Sequence, residues 1–174
     1  MTSTTHSNTF FAAGQYPGLP EQYRPIIITD HFKAPDNVGH IIRLAANIDA
    51  LKVLVLTDNP YRKSKINKTA GAAISSVEIH YITQDQLWQY IPEDYILTGL
   101  ETSQDSQNIF STQLPAKLAV VLGNEQFGIN HQLLQQCNMK VHIPMPGIIK
   151  SMNVSHAASV CLFQWYNQHV EKFK

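Results

Sequence analysis

VHIPMPGIIKSMNVSHAASVCLFQWYNQ, residues 141–168, joins a short apolar strand to an apolar helix through a loop that regular structure cannot enter. Pro144, Pro146 and Gly147 break any strand or helix after Ile143. Residues 151–155 then supply polar side chains and free amide groups where the next helix begins. Free amides at a helix start favour an electron-rich ligand, so the stretch reads as a ligand site and not as a packing solution. Two further stretches, PDNVGHIIR at 35–43 and VLGNEQFGI at 121–129, also set polar residues where an element begins or ends.

Between these punctuations the chain alternates apolar runs with helical periods. Ile26 to Ile28, a helix near Val38 to Asn47, and Val53 to Leu56 read as a β-α-β opening. Apolar runs follow at Val77 to Ile82, Tyr95 to Leu100, Leu118 to Leu122 and Val141 to Ile143. The expected class is α/β, a parallel-rich sheet flanked by helices on both faces. The polar opening, with its Ser/Thr/Asn bias and Pro17 and Pro20, reads as an arm over residues 1–23 pinned by Phe10 and Phe11, ahead of one domain over 24–174. No internal repeat is present.

Composition narrows the class. A chain of 174 residues that is 44% hydrophobic is long enough for a real core. No apolar run approaches the ~20 residues of a membrane span, and residues 1–8 lack the charged and apolar regions of a signal peptide. A soluble, cytoplasmic protein is therefore expected. Cys137 and Cys161 form no C-x-x-C pair and read as buried free thiols, with a structural disulfide as the lesser alternative. The eight histidines show no metal-ligand spacing, and no G-x-G-x-x-G follows the first strand, so neither a metal site nor a dinucleotide fold is expected. Net charge is zero, with 13 basic and 13 acidic residues. Phosphate binding needs local positive charge, however, and not a positive total. YRKSKINK at 61–68 concentrates Arg62, Lys63, Lys65 and Lys68, and reads equally as a basic contact surface or a solvated helix face.

The three punctuated stretches resemble, in order and approximate spacing, the three motifs of the SpoU family, the 2′-O-ribose RNA methyltransferases of the SPOUT class. The first resembles Asn37-Val38-Gly39 with Ile41-Ile42-Arg43, the second Gly123-Asn124-Glu125 with Gly128, the third Ile143-Pro144-Met145 with Ser151-Met152-Asn153-Val154-Ser155. Each motif alone is common; the three together over residues 26–166 are not. The resemblance implies a C-terminal deep trefoil knot built from residues 123–128 and 144–153, which general rules of topology would never anticipate. It also implies that these loops hold S-adenosylmethionine, with Leu100, Leu122, Gly123, Asn124, Ile143, Met145, Ser151, Met152 and Asn153 as its contacts. Met152 stands where the family usually has leucine, a change that conserves volume.

The same resemblance implies a set of catalytic residues. Arg43 would activate the ribose hydroxyl, since a guanidinium stabilises a developing alkoxide but makes a poor free base. Asn37 would cap the helix that carries Arg43 and orient the arginine or the RNA. Glu125 would pair with Arg43 or Asn153, and Ser151 and Asn153 would steer substrate, Ser151 reading also as a helix cap. Lys33, Arg43, Arg62, Lys63, Lys65 and Lys150 are the candidate RNA contacts. His40 and His156 lie within the motif regions, could touch RNA, and read as positions of no catalytic consequence.

The final helix, from Ser155 to about Tyr166, is expected to bury Ala157, Val160, Cys161 and Phe163 or Gln164. Its wide apolar surface, by the resemblance, implies a homodimer whose sites share residues, with Arg43 acting across the interface; an intrachain core is the alternative. Without an appended RNA-binding domain, the catalytic domain and its arm would do the recognising. The loop at 147–154 is closest to that of enzymes that methylate a D-loop guanosine of tRNA, so tRNA is the favoured substrate. A wobble-position tRNA or ribosomal RNA is the alternative, as is a non-catalytic knot protein that binds S-adenosylmethionine or RNA.

Overall fold

Seven strands form one sheet in which every neighbouring pair runs parallel. In chain order they are β1 (Ile26–Asp30), β2 (Lys52–Leu56), β3 (Glu78–Ile82), β4 (Ile96–Leu100), β5 (Gln107–Asn108), β6 (Leu118–Leu122) and β7 (Met139–His142). Across the sheet the order is β3-β2-β1-β6-β4-β7-β5. The helices are α1 (Pro35–Asn47), α2 (Lys63–Ala70), α3 (His131–Gln136) and α4 (Val154–His169). The computed structural model describes residue 11 and residues 18–59 and 61–171.

The central strands are almost unbroken runs of Ile, Val and Leu because both faces of the sheet are covered. Alternation divides them cleanly. Ile27, Val53, Val55 and Val120 share one buried cluster with Ile41, Ile42, Ile66 and Trp165 from the helices. Ile26, Ile28, Leu54, Leu56 and Val121 share the other with Leu87, Ile91 and Leu133. A one-residue slip of any of these strands would exchange its two sets. Among the described residues no helix is long and apolar enough to cross a membrane.

Parallel strands place all their carboxyl ends on one edge, which is where ligands bind in open α/β sheets. The three motifs follow β1, β6 and β7 onto that edge. Of the expected arm, residues 1–10 and 12–17 lie outside those described, Phe10 among them, and Phe11 is exposed. Nearer the domain, Glu21–Tyr23 form one 3-10 turn, and the Leu19 amide donates to Asp49 Oδ2 at 2.7 Å.

Two expectations are corrected. The first helix begins at Pro35, not near Val38, because the fixed φ of proline suits a helix start. Asn37 therefore sits inside the first turn with its own amide bonded to Ala34 O, and it is not the cap. In α4 the buried face is Ala158, Cys161, Leu162 and Trp165, while Ala157 and Val160 are half-buried and Phe163 is exposed. Apolar residues around most of this helix leave its rotation undetermined by periodicity. Hydrogen bonds decide it: Trp165 Nε1–H donates to Pro115 O and Ala116 O, both at 3.1 Å. One turn on, Gln168 accepts from the Leu114 amide at 2.8 Å and donates to Thr112 O at 2.9 Å.

Cys137 and Cys161 are separate buried thiols, each pushed up to about 12 by burial. Neither is a nucleophile at neutral pH. Thr29, at 0% exposure in β1, holds the one buried side-chain polar atom without a hydrogen-bond partner among the described residues. An orphaned hydroxyl costs free energy that a methyl of the same shape does not. Thr29→Val is therefore expected to raise stability by about 1 kcal/mol, seen as a higher urea midpoint at unchanged slope.

Candidate active site

A cavity of about 360 Å3 opens at the carboxyl edge of the sheet, walled by the ends of β4, β6 and β7 and the loops that follow them. Leu100, Ile143, Met145, Met152, Val154 and Ala157 give it an apolar surface, and Gly123, Asn124, Glu125, Ser151 and Asn153 edge it with polar groups. All but one of the residues expected to hold a cofactor line it. The exception is Leu122, 1% exposed, which packs into the core and does not face the cavity.

The second motif is a closed loop. Asn124 and Gly128 exchange backbone hydrogen bonds at 2.9 Å each, and Asn124 Oδ1 accepts the amides of Gln126 and Phe127. Glycine is required here by contact. A Cβ on Gly123 would stand 2.4 Å from the Gly128 carbonyl carbon and 2.5 Å from Ile129 N, and Gly128 has φ +71. Glu101, just past β4, holds the end of the loop by accepting the Ile129 amide at 2.9 Å. Sequence reading missed Glu101, although an acidic residue directly after a buried strand was a usable signal.

One chain of hydrogen bonds joins all three motifs. Glu125 Oε2 accepts the Lys33 amide at 2.7 Å, and Oε1 accepts the Ala34 amide at 3.1 Å and Asn37 Nδ2 at 2.6 Å. Asn37 Oδ1 then accepts from Asn153 Nδ2 at 3.2 Å. Asn153 Oδ1 in turn accepts from the Ser155 amide at 2.8 Å and the Ser155 hydroxyl at 2.6 Å. Every link points toward Glu125, so the carboxylate sets the orientation of both asparagine amides. Asn153, not Ser151, caps α4. Contrary to expectation, Glu125 meets neither Arg43 nor Asn153 directly; it reaches Asn153 through Asn37.

Partial burial acts to raise the Glu125 carboxyl, but the amides of Lys33 and Ala34 and the side chain of Asn37 outweigh it and hold it below the ordinary value. A depressed folded-state value means that the clamp stabilises the protein at neutral pH and is lost as pH falls through that value. Glu125→Gln would set an NH2 group against donors, because all three partners of the carboxylate are donors. We expect it to cost about 1–2 kcal/mol and to weaken ligand binding in the cavity, measured by urea denaturation and calorimetry; unchanged stability would disprove the clamp.

His142 also borders the cavity, its Nδ1 2.9 Å from Ser106 Oγ. The Ser106 hydroxyl already donates to Ser103 O at 2.6 Å. Arg43 lies elsewhere. It borders a second cavity of about 310 Å3 between α1 and the start of α4, and Asn153 is the one residue that lines both cavities.

The expected RNA contacts divide in the same way. Lys150 lines the first cavity and donates to Met145 O at 2.7 Å. Lys33 is exposed next to the Glu125 clamp. Arg62, Lys63 and Lys65 are exposed at the start of α2, with Ile66 and Ala70 turned inward, and line neither cavity. Tyr61 ties their segment to this edge by donating to Phe32 O at 2.6 Å; burial pushes its phenol up to about 12, so it remains a donor. Among the described residues no group of His, Cys, Asp and Glu could hold a metal ion.

The SpoU rRNA Methylase family model matches residues 24–163. The chain belongs to that family. Among curated SpoU relatives, the 23S rRNA (guanosine-2′-O-)-methyltransferase RlmB of Nitrosomonas europaea is 30% identical over 149 residues, 84% of this chain and 57% of that protein. The chain thus spans a little over half the length of that relative. The tRNA (guanosine(18)-2′-O)-methyltransferase TARBP1 of Mus musculus is 25% identical over 84% of this chain and 10% of its own length. Among solved structures, the SpoU methyltransferase AviRb of Streptomyces viridochromogenes superposes with a TM-score of 0.79 at 20% identity, over 87% of this chain and 62% of that one. AviRb has also been solved in complex with the cofactor AdoMet. The α/β fold with its parallel sheet is therefore that of SpoU methyltransferases.

Proposed function

We propose that this chain transfers a methyl group from S-adenosylmethionine to a ribose 2′-hydroxyl of RNA. The observation that carries the reading is the Glu125–Asn37–Asn153 chain, which ties the first SpoU motif to the second and third, whose residues wall one cavity. The first cavity fits the cofactor: glycine at 123 lets the second-motif loop close on itself and form a wall, apolar side chains suit an adenine and a methylene chain, and His142 and the Glu125 clamp provide polar edges. Bound there, the cofactor supplies an electrophilic sulfonium methyl. The chain's own residues then orient and activate the hydroxyl. Asn153 holds the ribose edge, and the Arg43 guanidinium stabilises the oxygen as its proton passes to solvent water.

The knot is part of this proposal. It is supported by the sheet order, in which the last strand, β7, lies between β4 and β5, so the loop joining those two crosses the path of the final segment. A homodimer through α4 is likewise proposed. Phe163 is exposed there, as are Ile148, Ile149 and Met152 in the preceding loop, and an apolar surface of this kind calls for a partner. In such a dimer Arg43 serves the partner's cofactor cavity, and the enzyme works in the cytoplasm beside its RNA.

A guanosine of the tRNA D-loop is the favoured target; ribosomal RNA is the second reading, supported by the resemblance to RlmB. The test is transfer of label from radiolabelled S-adenosylmethionine to unmodified tRNA and, separately, to unmodified ribosomal RNA. Label confined to tRNA supports the first reading and label confined to ribosomal RNA the second. Measurable cofactor binding without label in either pool would instead favour a non-catalytic knot protein.

A further inference from the structure

The last residue of β1, Asp30, is 2% exposed and borders neither cavity. Its carboxyl oxygens reach the second-motif loop from behind. Oδ2 accepts the Asn130 amide at 2.6 Å, across 100 residues of sequence. Ile129 and Asn130 are thus two consecutive amides held by carboxyl groups from the ends of two different strands, Glu101 after β4 and Asp30 in β1. Oδ1 lies 2.6 Å from His31 Nδ1, and the other nitrogen of that ring faces Asp58 Oδ2 at 3.4 Å.

His31 carries the contact to the other end of the loop. Its backbone is left-handed, with φ +46, and its amide is pinned to Leu56 O at 3.1 Å. A residue with a side chain keeps such a φ only where its surroundings fix it, and here both the ring and the amide are fixed. In that conformation the His31 carbonyl accepts from Asn124 Nδ2, while Asn124 Oδ1 accepts the Gln126 and Phe127 amides. The loop is therefore attached to the end of β1 twice, at Asn124 and at Asn130, and between those points Glu125, Gln126 and Gly128 line the first cavity.

We propose that Asp30 and His31 are positioning residues for the cofactor, holding the second-motif loop shut before S-adenosylmethionine arrives. The proposal rests on the reading of the first cavity as the cofactor's. A loop that is closed only part of the time binds its ligand with an affinity reduced by the closed fraction, whereas saturating ligand closes it again. Loss of the anchors must then appear in cofactor affinity and much less in the chemical step.

Calorimetry of S-adenosylmethionine binding and hydrogen exchange of the backbone amides test this. Asp30→Ala leaves the Asn130 amide without its acceptor, and cofactor affinity should fall roughly tenfold. The KM for cofactor should rise by the same factor, while kcat at saturating cofactor falls far less. In the free variant the amides of Gln126, Phe127, Gly128 and Ile129 should exchange faster than in the unaltered protein and slow again when cofactor is bound, with the amides of β1 and β6 unchanged. His31→Val and His31→Gly form a second pair, at a half-exposed position outside the core. Both lose the ring, but valine resists a positive φ and glycine accepts it. The glycine variant should bind cofactor roughly tenfold more tightly than the valine variant, because it alone keeps the carbonyl on Asn124.

Unchanged cofactor affinity in Asp30→Ala overturns the proposal, as does a loss of affinity accompanied by faster exchange throughout the sheet, since Asp30 would then serve the core alone. If Asp30→Ala does not fold, the His31 pair decides, and equal affinity in its two members overturns the proposal. Should the unaltered protein bind no S-adenosylmethionine, the reading of the cavity falls and takes the proposal with it. Methyl transfer by the unaltered protein, together with full cofactor affinity in the variants, removes this proposal alone.

Discussion

Arg43→Ala is expected to lower methyl transfer by about a hundred- to a thousand-fold, the usual effect of losing one donor that stabilises a developing oxyanion. Cofactor affinity should change little, because Arg43 does not border the cavity that fits the cofactor. Arg43→Lys should recover only part of the rate, since an ammonium keeps the charge and loses the planar fork. The separation of the two cavities also makes the dimer testable. If Arg43 serves the partner's site, mixing Arg43→Ala with a variant that cannot bind cofactor restores activity, because a mixed dimer contains one intact site. Action within one chain predicts no recovery, since every site then carries a lesion.

The partner for that mixture is Gly123→Ala, assayed at a cofactor concentration too low to fill its weakened site, and this is the second large effect. An added Cβ would meet backbone atoms of Gly128 and Ile129 at 2.4 and 2.5 Å, so neither a rotamer change nor a flexible neighbour can relieve the contact. The loop must open, breaking the Asn124–Gly128 pairing and pulling Ile129 N–H from Glu101. Overpacking of this kind costs about 1–3 kcal/mol, and 3 kcal/mol of loop distortion is about two decades of affinity. We expect cofactor affinity to fall on the order of 100-fold while the sheet stays folded. Calorimetry reads the first and circular dichroism the second; unaltered cofactor affinity would mean that the loop is not the cofactor's wall.

Much of this architecture was legible in the sequence. Runs such as III at 26–28 and LAVVL at 118–122 could only be strands covered on both sides, and they form the middle of the sheet. The polar breaks after them could only lie at strand ends, which is where parallel topology gathers a site. What stayed hidden depends on long-range pairing. β5 is two polar residues, Gln107 and Asn108, that become a strand only because β7 lies beside them. Glu125 and its partners are separated by 88 to 92 residues. Residue types named the donors and acceptors but not who meets whom, so Glu125 is expected beside Arg43 or Asn153 when it serves Asn37. Likewise Asn37 and Ser151 were both suitable caps, and the register of each helix left neither at a capping position.

The measurement closest to the central claim is the position of the transferred methyl. RNA incubated with the protein and isotopically labelled S-adenosylmethionine would be digested to nucleosides and analysed by mass spectrometry. The predicted product is a nucleoside with labelled methyl on the ribose 2′-oxygen, sharply reduced when Arg43→Ala replaces the unaltered protein. Labelled methyl on a base would contradict the account, because it would require a nucleophile other than the hydroxyl placed between Asn153 and Arg43.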